Sequence, residues 1–442
     1  MVWLAVLALL ALPGEGAAAE RPTAPGVYVE EIAVGSPAIQ PVATSITAFI
    51  GRAAKGPVNQ PTAVRSFGEF ERTFGGLHAS APMTYAVRCF FENGGGHALI
   101  VRLLRPELPP LAPSILQPPG LNALPPRPGP LESIGRPLDN ATLIGDRAAK
   151  SGLYALEKAD LFNLLCIPPD RHGGDTAPAV YQEALRYCVE RRAFLLVDPP
   201  AAWSAGKSAA EAAAAARAGL EDLGLSGPEA RNAALYFPRL RVSDPLRSGQ
   251  EVLLAPSGVV AGIFARMDLQ VGVWKAPASS GSDLRGVQGP EVEITASHQD
   301  QLNPLGINCL RKFPGRGLVV WGSRTLDSTG SEWRYIPTRR LALHLQESIA
   351  RGLEWAVYEP NDETLWATLR ARVESFLNGL WRQGAFQGRQ PQDAYFVQCG
   401  RETMTNADIE RGVAILLIGY AARRPAEFLT FSHAQNCAQL RR

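Results

Sequence analysis

Three short stretches of this 442-residue chain carry residue types that could do chemistry. His172-Gly173-Gly174-Asp175 sets an imidazole near a carboxylate, the raw material of a metal or acid–base site. Asp198 ends the apolar run Phe194-Leu195-Leu196-Val197, at the strand end where ligand sites of α/β sheets fall. Phe313-Pro314-Gly315-Arg316-Gly317 is glycine-rich, as a phosphate-cradling loop is. Each constellation is incomplete. The 6 histidines are dispersed with no second cluster, so His172 reads as part of a surface loop. No glycine fingerprint accompanies Asp198, which reads as a structural turn. The third stretch lacks the Gly-Lys-Ser/Thr ending that phosphate binding requires, and reads as a turn with an exposed arginine.

The remaining reactive groups follow the same pattern. Cys89, Cys166, Cys188, Cys309, Cys399 and Cys437 show neither CxxC nor Cys/His spacing, so zinc ligation is not expected. Most sit among apolar neighbours, as in Leu164-Leu165-Cys166-Ile167, and read as buried free thiols. No catalytic, cofactor-binding or metal-binding residue is expected. Arg334, Arg339 and Arg340 cluster before a helix, either to pair with carboxylates inside the subunit or to contact a neighbour or an inner tube.

The elements that would position these groups are legible in periodicity. Val27–Ile32 and Ile46–Gly51 read as strands. Phe67–Phe74 and Met83–Phe91 read as helices and Ala98–Leu103 as a strand. Eleven prolines between Pro106 and Pro137 mark an extended linker or surface excursion, the clearest boundary in the chain. Strand-like runs at Phe162–Ile167, Phe194–Val197 and Ala233–Phe237 then alternate with helices at Ala177–Arg191 and Ala209–Ala218, arguing a parallel or mixed α/β sheet. Thr338 is a candidate cap for a helix striped by Leu341, Leu345, Ile349 and Leu353, with Glu347 and Arg351 spaced to pair. Asn361 or Asp362 opens another along Leu365, Leu369, Val373, Phe376 and Leu380. Thr405 with Asp408 signals a capping box, Val413–Ile418 reads as a buried strand, and Pro425–Phe431 as an extended segment.

Composition limits function. Hydrophobic residues are 46% and charged residues 19%, a globular balance, and the length suggests two or three domains. A formal charge of +2 without a basic stripe argues against a dedicated nucleic-acid binder. Val2–Leu12 is apolar and is followed by Ala17-Ala18-Ala19, like an export signal with its cleavage site, yet too short for a membrane span. Its start carries no Lys or Arg, so residues 1–24 read as a leader or an unstructured extension ahead of the folded protein.

A set of motifs in fixed order adds to this. They are Pro25-Gly26-Val27-Tyr28-Val29-Glu30-Glu31-Ile32, Thr44-Ser45-Ile46-Thr47-Ala48-Phe49-Ile50-Gly51, Gly56-Pro57-Val58-Asn59 and Phe90-Phe91-Glu92-Asn93-Gly94-Gly95. Towards the C-terminus come Leu302-Asn303-Pro304-Leu305-Gly306-Ile307-Asn308, Phe313–Gly317, Val320-Trp321-Gly322-Ser323-Arg324-Thr325-Leu326, Glu332–Leu341, Tyr358-Glu359-Pro360-Asn361-Asp362 and Pro425-Ala426-Glu427-Phe428. Together they resemble the sheath proteins of contractile phage tails and related injection systems, from Pro25 to the end and least across 106–250.

The resemblance implies an α/β fold: a discontinuous core from 25–105 and 295–442, an inserted middle domain at 140–294 beyond a linker at 106–139, and extended terminal arms. It implies a non-enzymatic, virion-type structural protein assembled in the cytoplasm, which polymerises helically with itself around an inner tube protein. Baseplate and terminator proteins are its further partners, with no nucleic acid, no cofactor and no membrane insertion. Val27, Tyr28, Val29, Glu30, Glu31 and Ile32, with Glu427, Phe428, Leu429, Thr430 and Phe431, are the arms expected to add strands to neighbouring subunits. An α/β enzyme built on the middle domain near Asp198 and a secreted surface protein are the alternatives.

Overall fold

The computed structural model describes residues 38–105, 134–278, 281–329 and 332–424. Leader and arms (1–32 and 427–431) and Cys437 therefore lie outside the described residues.

The strands of the main sheet are short and the inner ones are largely apolar, the pattern of strands covered on both faces. They are β1 (Thr47–Gly51), β2 (Thr62–Val64), β3 (Ala98–Arg102), β4 (Leu164–Cys166), β5 (Phe194–Val197), β6 (Ala233–Phe237) and, later in the chain, Ile307–Phe313 and Gly317–Trp321. Between these last two and β6 come β7 (Leu240–Asp244), β8 (Gln250–Leu254) and β9 (Gly289–Pro290), so the closing hairpin is β10 and β11. The eight strands of the main sheet run in the order β11-β10-β6-β5-β4-β1-β3-β2, and β8-β7-β9 form a separate sheet. All contacts from β3 through β10 are parallel, while β2 and β11 close the two edges antiparallel.

Alternate side chains serve two cores. Ala48, Ile50, Leu165, Leu195 and Leu235 face one side, packing with Val180, Leu185, Ala212 and Ala216 of the crossover helices Pro178–Glu190 and Ala209–Gly219. Phe49, Cys166, Phe194, Leu196 and Tyr236 face the other, against helices Phe67–Phe74, Pro82–Glu92 and Ser257–Gln270. The latter two helices touch along small residues: a Cβ at Gly258 would stand 2.4 Å from the Ala86 carbonyl oxygen. This is a doubly wound three-layer arrangement with β1 at the reversal of strand order.

Several expectations change here. The proline stretch does not separate one sheet from another. Strands from before it (β1, β3) and after it (β4, β5, β6) pair in one sheet, which also takes β10 and β11 from the C-terminal portion. The stretch leaves and returns at one place, where Arg136 N donates to Arg105 O at 2.9 Å. Thr338 is not a cap; the long helix, Ile336–Gly352, has Tyr335 at its N-cap and Pro337 in its first turn, and Thr338 is buried. Asp362 does cap the next helix, Glu363–Arg382, accepting from Thr364 N and Leu365 N at 3.0 Å. Thr405 and Asp408 form the expected capping box. Glu347 and Arg351 pair at 2.6 Å.

The C-terminal part packs Leu341 and Leu345 of Ile336–Gly352 against Val373, Phe376, Leu377 and Leu380 of Glu363–Arg382. Over them lies a two-stranded sheet, β12 (Tyr395–Gln398) and β13 (Leu417–Tyr420). The expected buried strand at Val413–Ile418 is thus shifted towards the C-terminus and lies at the surface. Val413 is 41%, Ile415 40% and Leu417 49% exposed. Its apolar composition serves a surface that nothing within the described residues covers.

Candidate assembly interface

In a doubly wound sheet, the crevice beside the central strand is where small ligands enter. Here the chain fills it with its own side chains. Arg52, immediately after β1, pairs with Asp170 beyond β4 at 2.6 Å and donates Nη2 to Ser80 O at 2.8 Å and Asp170 O at 2.9 Å. Asp170 also accepts from Leu138 N at 2.9 Å. The pair is nearly buried and bridges four segments, so it works as a bolt across the crevice.

Asp198 is equally committed. Its carboxylate accepts from Ser257 N and Ser257 Oγ, both at 2.8 Å, and so anchors the first turn of Ser257–Gln270. Asp175 accepts from Arg239 Nη2 at 2.5 Å and Ala201 N at 2.7 Å, and His172 sets its ring edge-on to Tyr85. Phe313–Gly317 spans the β10–β11 hairpin turn, with Arg316 exposed. Cys89, Cys166, Cys188, Cys309 and Cys399 are buried free thiols. The residues that first suggested chemistry hold the fold together.

The three arginines do not act as one cluster. Arg340 is buried and pairs with Asp268 at 2.6 Å, with each side chain 4% exposed. It also donates to Thr44 O at 2.8 Å and lies 4.8 Å from the centre of the Phe264 ring. Arg339 is buried too, with Nε on Asn232 Oδ1 at 2.9 Å. Arg334 is half-buried. Of the two readings of the cluster, the guanidinium of Arg340 follows the one inside the subunit. Asp268, Arg52 and Asp170 carried no local signal, because their partners are separated by 72 or 118 residues.

His344 follows Arg340 by one helical turn and is buried, its Nδ1 without a hydrogen-bond partner. Burial first, and the Arg340 charge second, push its pKa down to about 4. An unfolded imidazole titrates near 6.5. Between those values only the unfolded chain takes up the proton, so stability is lost as pH falls through that window, by on the order of 3 kcal/mol. Asp198 acts in the opposite sense: burial raises its pKa to about 6, so its contribution grows as pH falls towards the unfolded value of 3.8. His344→Phe should therefore raise the melting temperature at pH 5 relative to pH 7.5, read by thermal denaturation across pH. An unchanged profile would assign the acid sensitivity elsewhere.

The least self-sufficient element is the β12–β13 sheet. A two-stranded sheet is marginal by itself. Its inner face, with Tyr395, Val397, Ile418 and Tyr420, rests on the C-terminal core. Its outer face presents Phe396, 51% exposed, beside Leu417. The Phe396 ring lies over Gly419, where a Cβ would stand 2.1 Å from the ring. Glycine permits that approach. Among the described residues the only further pairing is a bridge from Phe386 to Ala422.

Comparison with known proteins places this architecture. The model of the phage tail sheath protein central domain matches residues 144–326, and that of the phage tail sheath C-terminal domain matches 328–435. The sheath complex of an extracellular contractile injection system, PVC, in its contracted state aligns with a TM-score of 0.68 and 26% identity, over 95% of this chain and 100% of that one. The helical sheath of the anti-feeding prophage, also contracted, aligns with a TM-score of 0.66 and 29% identity, over 94% and 100%. The tail sheath protein of Vibrio phage KVP40 is 24% identical over 177 residues, 40% of this chain but 26% of that relative's length. With two successive domain models covering its larger part in the expected order, the chain belongs to the phage tail sheath family.

Proposed function

We propose that this protein is the repeating subunit of a contractile sheath in a phage tail or extracellular injection particle. It polymerises helically around an inner tube and shortens to drive that tube through a target envelope. It is a structural protein and catalyses nothing. The observation that carries this reading is likeness over nearly the whole length, 94–95% of this chain, to sheaths solved in the contracted state. A comparable likeness to the anti-feeding prophage baseplate supports baseplate contacts as well.

The subunits are linked by strand exchange. The arms at Val27–Ile32 and Glu427–Phe431 leave one subunit and extend the β12–β13 sheets of its neighbours. Each added hydrogen bond contributes about 0.5–1.5 kcal/mol, while each ordered arm residue costs about 1–2 kcal/mol of backbone entropy. One arm is thus marginal, and covering apolar groups such as Phe396 and Leu417 tips the balance. Contraction is a passage between two lattices with the arms still joined. Assembly takes place in the cytoplasm, without nucleic acid or membrane insertion.

Negative-stain microscopy of the purified chain tests the reading directly. Helical tubes are expected; a protein that stays monomeric at high concentration, alone and with its tube partner, would count decisively against it.

A further inference from the structure

Arg339 and Arg231 share one aromatic face. The Arg339 guanidinium lies 5.1 Å and that of Arg231 5.9 Å from the centre of the Trp333 ring. Arg339 is 5% exposed, and among the described residues its side chain's one hydrogen bond goes to the neutral Asn232. Arg231 is half-buried, and its Nε is sealed from water without a partner. Neither forms an ion pair among the described residues. Four other buried arginines do: Arg52 with Asp170, Arg239 with Asp175, Arg266 with Asp283, Arg340 with Asp268. Burial and then the neighbouring Arg231 charge lower the Arg339 pKa to about 10. Two like charges share one indole, Arg339 buried and Arg231 half-buried, and without a carboxylate paired to either among the described residues the site is short of an anion.

Its position says which anion. Tyr420 of β13 lies close enough for its hydroxyl to feel the Arg339 charge. The pair therefore sits at the root of the sheet proposed to accept arms. Of the two arms, the C-terminal one carries the single acid Glu427, and the N-terminal one the adjacent pair Glu30-Glu31. Successive side chains of a strand point to opposite faces, so an adjacent acid pair presents a carboxylate to the arginines on whichever face the arm lies. We infer that Arg231 and Arg339 form a carboxylate-binding site that receives Glu30-Glu31 from the arm of a second copy of this chain. The inference rests on the strand-exchange reading above and deepens it: the charge contact fixes which arm docks and where it stops.

The test uses full-length chains with exchanged charges. Arg231→Glu in one chain, and Glu30→Arg with Glu31→Arg in another, should each raise the concentration needed for tube formation by roughly thirty-fold. An equimolar mixture should assemble at least about ten-fold more readily than either alone, since opposite charges then meet between chains. Arg231→Gln, which drops the charge but keeps the reach, guards against a misfolded acceptor and should weaken assembly in the same direction. A mixture no better than its components overturns the inference. So does rescue seen only when all three substitutions share one chain, which would make the contact internal. Deleting residues 1–32 separates the two readings. If that deletion blocks assembly while the charge variants assemble as the parent does, this site is wrong and strand exchange stands; if the deletion assembles normally, exchange of the N-terminal arm fails, and this site with it.

Discussion

Arg340→Ala should lower the unfolding free energy by about 3–5 kcal/mol, the usual cost of stranding one partner of a buried ion pair. Asp268 would be left charged with its side chain 4% exposed. The same change removes the donor to Thr44 O and the cation beside Phe264. Denaturant titration of the monomeric protein reads the loss as a fall in midpoint at constant slope. Asp268→Leu alone should cost a similar amount, because it strands the guanidinium instead. The double variant Arg340→Met with Asp268→Leu should recover most of the stability, since replacing a whole buried pair by apolar groups is often neutral. If the single variants cost under about 1 kcal/mol, the pair belongs with weak surface bridges and the clamp is elsewhere. The effect should also be directional. Thr44 and Val42, which bonds Ser348 Oγ at 3.1 Å, tie the start of the described chain to Ile336–Gly352. Hydrogen exchange should therefore rise across residues 38–46 before it rises in the main sheet.

Removing either arm should abolish tubes while sparing the fold. Deletion of 1–32 or of 425–442 leaves every described residue of the two sheet cores and the C-terminal core in place. The truncated chains should melt within a few degrees of the parent and run as monomers in analytical ultracentrifugation. On the strand-exchange proposal every subunit of a helical lattice both gives and receives an arm, so the loss would recur at each position without dilution by intact neighbours. Truncated subunits mixed with intact ones should poison growth well below equimolar ratio. If both truncations polymerise as the parent does, the subunits are held by their bodies and the arms are incidental.

How much of this was legible beforehand differs by scale. Phe67–Phe74, the strands around Phe49, Leu196 and Leu235, and the caps at Asp362 and Thr405 follow from local pattern, and the structure keeps them. Non-local pairing was not legible. A proline-rich stretch announces an excursion equally well whether the chain returns to the same sheet or begins another, and the deciding contact lies between Arg105 and Arg136. Thr338 looked like a cap because composition cannot distinguish a helix start from the turn after it. The arginines near residue 340 were visible as a group, but their differing fates depend on Asp268, Asn232 and Arg231, all more than sixty positions away. At Val413–Ile418 hydrophobicity was read as burial in the monomer. In the structure these side chains stay exposed, and the strand-exchange proposal assigns their cover to a neighbouring subunit.

The closure at Arg105 and Arg136 has an engineering meaning. Because the excursion from 106 to 133 departs from and returns to one hydrogen-bonded point, its length is decoupled from the spacing of the strands on either side. Such a point is a port. A foreign domain whose termini lie side by side can replace the excursion without stretching the sheet, and helical repetition would then display one copy of that cargo per subunit along the whole particle.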